Sequence, residues 1–455
     1  MTDLSVAFSA DRSGEAELTW GQRDIWDALR YLGEQDWRMN RDVVIDVPEG
    51  RTVDEVMLAV RLILERHESL RTTFVTDSSG LPRQQLLRKG ELPVAVRHID
   101  DEGDEAAVRI RDALIAQHFD SSDGLMLRAA VLLRCGQPKT LMMCLSHLLC
   151  DAHSIGILRA ELRQILASPR SPELPEDRGI QPLEQAAFEQ SDAGRRLNER
   201  AWSYRRAQLE RFPDLSFPPV DDTTSTPRFR LAVYRCVVLR DAARLLARRH
   251  GVTPDTAVTA AFSLLLGTYG GKGACALHLV SANRFRSDTK QSVGQFSLQV
   301  PVVMDVRHES FDSLLKEVHA RTVRAYRHAM RSPDDVGRVG METSAVGPPP
   351  CIMNPLLGPD DRSVPPATLD ELHRRAGSSE FQWDGGNEEE RIGAYMQSGP
   401  SNKLKFFGDT RIFRPDFIEA LLAGVQVVLL SAVEGSITPE QAAEAALGAR
   451  GDDIQ

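Results

Sequence analysis

The chain has no apolar run that reaches the roughly 20 residues a membrane span requires. Its N-terminus, Met1 to Ser13, carries Asp3 and Asp11 and lacks the apolar centre of a secretory signal. No internal repeat and no heptad pattern is found. Positive charge is not in surplus: 55 Lys and Arg stand against 65 Asp and Glu, a formal net charge of -10. That balance disfavours nucleic acid or an anionic membrane as partner, and leaves room for a local basic patch that binds something acidic. Cysteine is sparse. Six of them (Cys135, Cys144, Cys150, Cys236, Cys275 and Cys351) are scattered along the chain, four inside apolar runs. They read as reduced, buried thiols of a cytoplasmic protein and not as a disulfide framework.

What is present is an ordinary globular composition, 42% hydrophobic and 26% charged over 455 residues. A chain of this size can bury a large core. Strand and helix patterns alternate throughout. Helical spacing covers Thr19 to Tyr31, Thr52 to His67, Ser154 to Leu166, Arg195 to Phe212, Phe311 to Met330 and Phe417 to Leu430. Strands are expected at Asp42 to Val47, Leu70 to Val75, Arg83 to Leu87, Leu125 to Leu133, Thr140 to Ser146, Ala232 to Leu239, Cys275 to Ser281 and Lys403 to Phe407. Thr253-Pro254-Asp255 opens a further helix with a capping hydroxyl, an early proline and an early acid. Pro213 to Pro227 and Gly347 to Gly386 read mainly as loops. The fold class is therefore α/β, in α+β layers. Ala167 to Pro175 is rich in Pro, Ser and charge, and is the expected linker between two lobes, residues 1–175 and 176–455.

One stretch carries chemistry. Leu145-Ser146-His147-Leu148-Leu149-Cys150-Asp151-Ala152-His153-Ser154 ends an apolar strand at a histidine, places an aspartate after it, and then starts a helix. Histidine is the side chain whose ordinary pKa suits general-base work at neutral pH. Other readings stand beside that one. His147 is also what a satisfied core histidine looks like, and Asp151 what a helix N-cap looks like. His147, Cys150, Asp151 and His153 are all metal-ligand types, in a spacing that fits no common zinc signature.

Further segments bear on the choice. Glu65-Arg66-His67-Glu68-Ser69-Leu70-Arg71-Thr72-Thr73-Phe74 resembles the RHExLRTxF motif of nonribosomal peptide synthetase condensation domains. Leu18-Thr19-Trp20-Gly21-Gln22-Arg23-Asp24-Ile25-Trp26 is similar to their LTxAQxxIW motif, the His147 stretch to HHxxxDG, and Val293 to Pro301 to VGxFVNTLP. Gly251 to Pro254 and the Lys403 to Phe407 strand also fall where that family has such elements. The order holds over residues 15 to 435 or so. The resemblance implies two chloramphenicol-acetyltransferase-like lobes in a V-shaped pseudo-dimer with a central tunnel. It implies an acyltransferase that joins a carrier-bound acyl or aminoacyl thioester to an amine or hydroxyl, giving an amide or ester in natural-product biosynthesis. No cofactor is bound; the phosphopantetheine arm arrives on a carrier protein. His147 takes the catalytic place. Asp151 takes a structural one, paired with an arginine of the other lobe, for which Arg284 is the expected partner and Arg71 the alternative.

The sequence departs from the family pattern at several points. Ser146 stands for the first motif histidine, Ala152 for the motif glycine, and Leu298-Gln299 for the NT pair beside Ser297. Two later motifs are barely recognisable around His328 to Asp334 and Ser344 to Pro355. Ser146 invites a nucleophile reading, but adjacent strand residues face opposite ways, so His147 does not readily serve it. The chain has no room for an adenylation or carrier domain, so carrier proteins are expected to act in trans on a monomer. Arg321, Arg324, Arg327, His328 and Arg331 recur at helical spacing and offer a docking face for an acidic carrier. The competing functions are a degenerate module that recruits partner enzymes without turnover, and epimerisation of a carrier-bound residue.

Overall fold

The structure is a computed structural model. It describes residues 3–99, 103–120, 124–176, 178–212, 226–271, 273–335, 351–388, 390, 392–399, 401–435 and 437–447. The expected loop at 213–225, and 336–350 with part of the last motif region, lie outside the described residues. Contacts divide the chain into two compact units. The first is Met1–Glu199, Ala282–Leu298 and Met330–Pro333; the second is Arg200–Ser281, Gln299–Ala329 and Asp334–Gln455. This differs from a single cut near 175. The chain beyond 175 stays with the first unit because Glu189 Oε2 accepts from Trp20 N at 2.7 Å and Gln181 Oε1 accepts from Glu68 N at 3.0 Å. Met330–Pro333 rejoins it where Arg331 pairs with Asp24 at 3.3 Å.

In chain order the first unit holds β1 (Asp3–Ser9), β2 (Gly14–Glu17), α1 (Trp20–Leu32), β3 (Arg41–Asp46), α2 (Val53–Arg66), β4 (Thr72–Thr76), β5 (Pro82–Leu86) and β6 (Lys89–His98). There follow α3 (Gly103–Ile115), β7 (Leu127–Arg134), β8 (Gln137–Leu145), α4 (Ala152–Ala167), α5 (Pro182–Gln190) and the first part of α6 (Asp192–Leu209). A sheet of order β1-β6-β7-β8-β3 carries the core, beside a small sheet β2-β5-β4. Helices α2 and α4 cover one face, burying Val56, Ile63, Leu158 and Leu162 against Val43, Ile45, Met143 and Leu145. Residues Leu141 to Leu145 are buried without alternation, as befits an interior strand with both faces covered. Thr19 and Thr52 cap α1 and α2 in capping boxes with Gln22 and Glu55, satisfying amides that have no partner in the first turn.

The second unit holds β9 (Phe229–Arg235), α7 (Leu239–His250), α8 (Pro254–Tyr269), β10 (Ala274–Ser281), β11 (Leu298–Asp305), α9 (Phe311–Tyr326), β12 (Ile352–Pro355), α10 (Leu369–Ala376), β13 (Glu380–Asn387), β14 (Ala394–Ser398), β15 (Lys403–Asp409), α11 (Pro415–Glu434) and α12 (Pro439–Leu447). Its sheet runs β11-β10-β12-β14-β15-β9-β13. Thr253 caps α8, with Pro254 in its first turn, as the sequence triplet requires. The strand expected at Ala232 to Leu239 stops at Arg235, because Leu239 starts a helix and Cys236 N turns to Asn402 O at 2.9 Å. One helix departs from the reading of apolar runs: α11 is long and apolar enough to cross a membrane. Its Phe417, Ile418, Leu421, Leu422, Val425, Val428 and Leu429 are buried in the core of the second unit, the environment of an interior helix.

Candidate active site

Strand β8 ends at Leu145, and the chain turns. Ser146 N donates to Met126 O at 3.0 Å, and Leu149 N to Ser146 O at 3.0 Å. His147 rides on this turn, with 7% of its surface exposed. Its Nδ1 lies 2.8 Å from the Cys150 carbonyl. A carbonyl oxygen only accepts, so Nδ1 carries the ring proton and Nε2 keeps its lone pair. Among the described residues nothing hydrogen-bonds Nε2. Burial, and then the charge of Arg41, push the imidazole pKa down to about 3. The ring is therefore neutral at physiological pH, with one nitrogen fixed by the fold and the other free to accept.

Asp151 anchors the other end of the turn and caps α4. Its Oδ1 accepts from Ser154 N and Ser154 Oγ, each at 2.9 Å. Its Oδ2 accepts from Phe296 N at 3.1 Å, and Arg284 Nη2 lies 3.1 Å from the carboxylate. Burial alone pushes this carboxyl up, but Arg284 and the donors from Ser154 and Phe296 outweigh it and hold it below the ordinary value. Arg284 is fixed in turn: Nη1 donates to Ala282 O at 2.7 Å, Nη2 to Ser292 O at 3.2 Å, and the guanidinium lies 4.1 Å from the centre of the Phe296 ring. Asp151 N and Ser154 Oγ also reach Gly294 O, at 3.2 and 2.8 Å. The segment Ala282–Leu298 is thus bound to the His147 turn by one buried polar cluster. The partner of Asp151 is Arg284, and both belong to the first unit.

The segment from Arg66 supports the same turn from behind. Ser69 Oγ donates to Leu149 O. His67 Nε2 donates to Glu161 Oε2 at 2.6 Å, and Arg66 Nε to Glu161 Oε1 at 3.0 Å, fixing α4 a few turns beyond its Asp151 cap. Arg71 does not reach Asp151. It is buried, donates to Leu87 O at 2.6 Å and Arg12 O at 3.0 Å, and lies 3.7 Å from Glu68. Gly21 of α1 packs so closely on the 294–296 backbone that a Cβ there would stand 2.3 Å from Gln295 O.

The profile of the Condensation domain family matches residues 12–331, which is most of the chain. The chain belongs to the condensation-domain family. It is 29% identical over 343 residues to phosphinothricin tripeptide synthetase PhsC of Streptomyces viridochromogenes, covering 71% of this chain and 31% of the synthetase. The chain spans between 4% and 31% of the length of eight curated relatives that it matches. Its fold is similar to the condensation domain of the monacolin K polyketide synthase MokA, with a TM-score of 0.69 at 17% identity, covering 92% of this chain and 98% of that one. It is also similar to the X-domain solved in complex with OxyB from teicoplanin biosynthesis, with a TM-score of 0.64 at 17% identity, covering 93% and 94%. The mixed α/β fold is that of condensation domains.

In this condensation domain the remaining site candidates are placed as follows. Ser146 is buried, and its Oγ accepts from Leu148 N at 3.4 Å; the proton-bearing nitrogen of His147 is committed to Cys150. Ala152 is the exposed first residue of α4. Ser297 is half-buried, and both its carbonyl and its Oγ accept from Gln295 Nε2 at 3.1 Å. Gln299 lies on β11 in the second unit. The four ligand-type side chains do not gather: His153 is exposed and bonds Lys290 O at 3.0 Å, and no metal-binding cluster occurs among the described residues. The basic face is shorter than expected. Arg324 and Arg327 are exposed, but Arg331 is 5% exposed and paired with Asp24 in the first unit, because the chain has left the helix by then. Sequence reasoning missed Ser69, Ser154 and Glu161, which hold the His147 turn and the helix after it, and Arg41, whose charge adds to the lowering of the His147 pKa. Ser154 was legible as the hydroxyl three residues after an N-cap; the others are distant in sequence and carry no local signal.

Proposed function

We propose that this condensation domain joins a carrier-bound acyl or aminoacyl thioester to an amine or hydroxyl acceptor, with His147 at the reaction centre. The observation that carries this reading is the histidine itself: Nδ1 is held by the Cys150 carbonyl at 2.8 Å and Nε2 has no partner among the described residues. In the reaction the acceptor nitrogen attacks the thioester carbonyl, a C–N bond forms, the C–S bond breaks, and the nitrogen's proton ends on the departing thiol. With its pKa near 3, the imidazole works mainly by accepting a hydrogen bond from the acceptor and fixing its lone pair toward the carbonyl. Asp151 and Arg284 hold the turn. The donor arrives on the phosphopantetheine arm of a carrier protein acting in trans, and exposed Arg324 and Arg327 offer an acidic carrier a place to dock. The protein works as a cytoplasmic monomer; its six cysteines are all unpaired, which suits a reducing compartment.

A second reading has an observation of its own. Ser146 replaces the first motif histidine, and the fold resembles an X-domain that forms a complex with OxyB, so a module that recruits other enzymes without turnover is the alternative. Intact-mass detection of acyl transfer from loaded carrier proteins to a panel of amines separates the two. Product made by the wild type supports the first reading; carrier binding with no transfer to any acceptor supports the second.

A further inference from the structure

The basic stripe of α9 does not stand alone. The second part of α6, from Arg200 to Leu209, lies in the second unit with α9. The rings of Tyr204 on α6 and of His328, just past the end of α9, stack with 4.7 Å between centroids and 6° between planes. Residues one helical turn apart share a face. Arg200 stands one turn before Tyr204, and Arg324 one turn before His328, with Arg327 next to that histidine in sequence. Arg211 follows Tyr204 by two turns, where the chain leaves α6 with Arg211 N donating to Gln208 O at 3.0 Å. The stacked rings therefore gather four arginines from two helices. Their field agrees with this placement: after burial, Arg324, Arg200 and Arg327 lower the His328 pKa.

All four arginines are exposed, and none pairs with a carboxylate among the described residues. The acid on the same stretch of α9, Glu317, is taken by Arg321 at 2.6 Å. Acids outnumber bases in this chain by 65 to 55, so a group of four unneutralised cations is not what the composition alone produces. Like charges at helical spacing repel, and an acidic partner removes that cost. The face also has an apolar centre: Val323, 38% exposed, stands one turn before Arg327. An apolar spot ringed by charge is the anatomy of a protein docking surface and not of a site for a small anion.

We infer that this two-helix face docks the acidic surface of a carrier protein, with Arg200, Arg211, Arg324 and Arg327 meeting its carboxylates and Val323 meeting an apolar side chain among them. The inference rests on the condensation reading above and names the surface that holds its carrier.

The test measures binding of a panel of acidic, acyl-loaded peptidyl carrier proteins to wild type, Arg200→Glu, Arg211→Glu, Arg324→Glu and Val323→Asp, each variant checked for unchanged thermal unfolding. The wild type is expected to bind at least one carrier with a Kd that rises steeply with NaCl. Each variant should bind that carrier about 10-fold more weakly, and the Glu variants with a shallower salt dependence. In turnover, Arg200→Glu and Arg211→Glu raise the KM for the loaded carrier by a similar factor and leave kcat unchanged. Their rate with a carrier-free acyl thioester of N-acetylcysteamine stays that of the wild type. Carrier affinity lost in Arg324→Glu but kept in Arg200→Glu and Arg211→Glu overturns the two-helix face. So does a wild type that uses the small thioester and binds no carrier, or carrier binding that no variant weakens. Polyglutamate bound as tightly as the carrier, or self-association that Arg324→Glu abolishes, assigns the face to another occupant and overturns the proposal. If carrier binding depends on these arginines but neither donor's acyl group reaches any acceptor, the condensation reading fails and the docking surface remains.

Discussion

Asp151 shows how one side chain decides the state of another. It caps α4, takes the Arg284 guanidinium, and draws Phe296 N onto the same carboxylate. Removing either charge leaves its partner buried and unpaired, so Asp151→Ala and Arg284→Ala are each expected to cost about 3–5 kcal/mol in denaturant unfolding. The double variant should cost clearly less than the sum, since the two share one interaction. The pH dependence follows from the same turn. The folded pKa of His147 is depressed from 6.5 to about 3, so the unfolded chain binds a proton that the folded one refuses. Its contribution to stability is fully present above 6.5 and is lost as pH falls from 6.5 toward about 3. Asp151, held below 3.8, adds a loss beneath that value. Thermal unfolding across this range should show stability falling with acid, and His147→Gln should flatten the fall between pH 6.5 and about 4. A curve that His147→Gln leaves unchanged would show that the imidazole titrates normally in the folded state.

At the scale of elements, the close approach of α1 to the 294–296 backbone is set by the missing side chain at Gly21. Gly21→Ala places a methyl 2.3 Å from Gln295 O, backbone that cannot rotate away. A loss of about 1–3 kcal/mol is expected in unfolding experiments, with activity falling as the segment that carries Phe296 shifts. Elements with strong local signals were legible in the sequence. Thr19, Thr52 and Thr253 each sit before a periodic apolar run, and each caps its helix. Strand β6 was not legible, because Gly90 and Pro93 interrupt it; its pairing with β1 and β7 overrides that local weakness. Helix α7 was hidden because its arginines are interleaved with alanine and leucine directly after a strand, without a capping side chain. The His147 turn was legible as strand, turn and helix. The choice of Arg284 over Arg71 came from resemblance alone, since the pair joins positions 133 apart in sequence. Arg41 gave no signal beyond heading a strand.

At the scale of the molecule, the order of the motifs made the fold legible, whereas the division into units was not. A linker composition near 175 marks a loop, but contacts across long sequence separations return Ala282–Leu298 and Met330–Pro333 to the first unit. The thiols offer a check on the packing of both units. Cys135 is exposed and the other five cysteines are buried, with burial pushing the Cys144, Cys236 and Cys275 thiols up to about 12. A thiol reagent should therefore find one fast-reacting cysteine in the native protein and six after denaturation. The central claim is that His147 serves bond formation and not merely the fold. The measurement that tests it most directly is intact-mass detection of acyl transfer from a loaded carrier protein, comparing wild type with His147→Ala at matched folding. The account predicts transfer by the wild type and a fall of about a hundredfold or more in the variant. Transfer that proceeds equally well without the imidazole would contradict it.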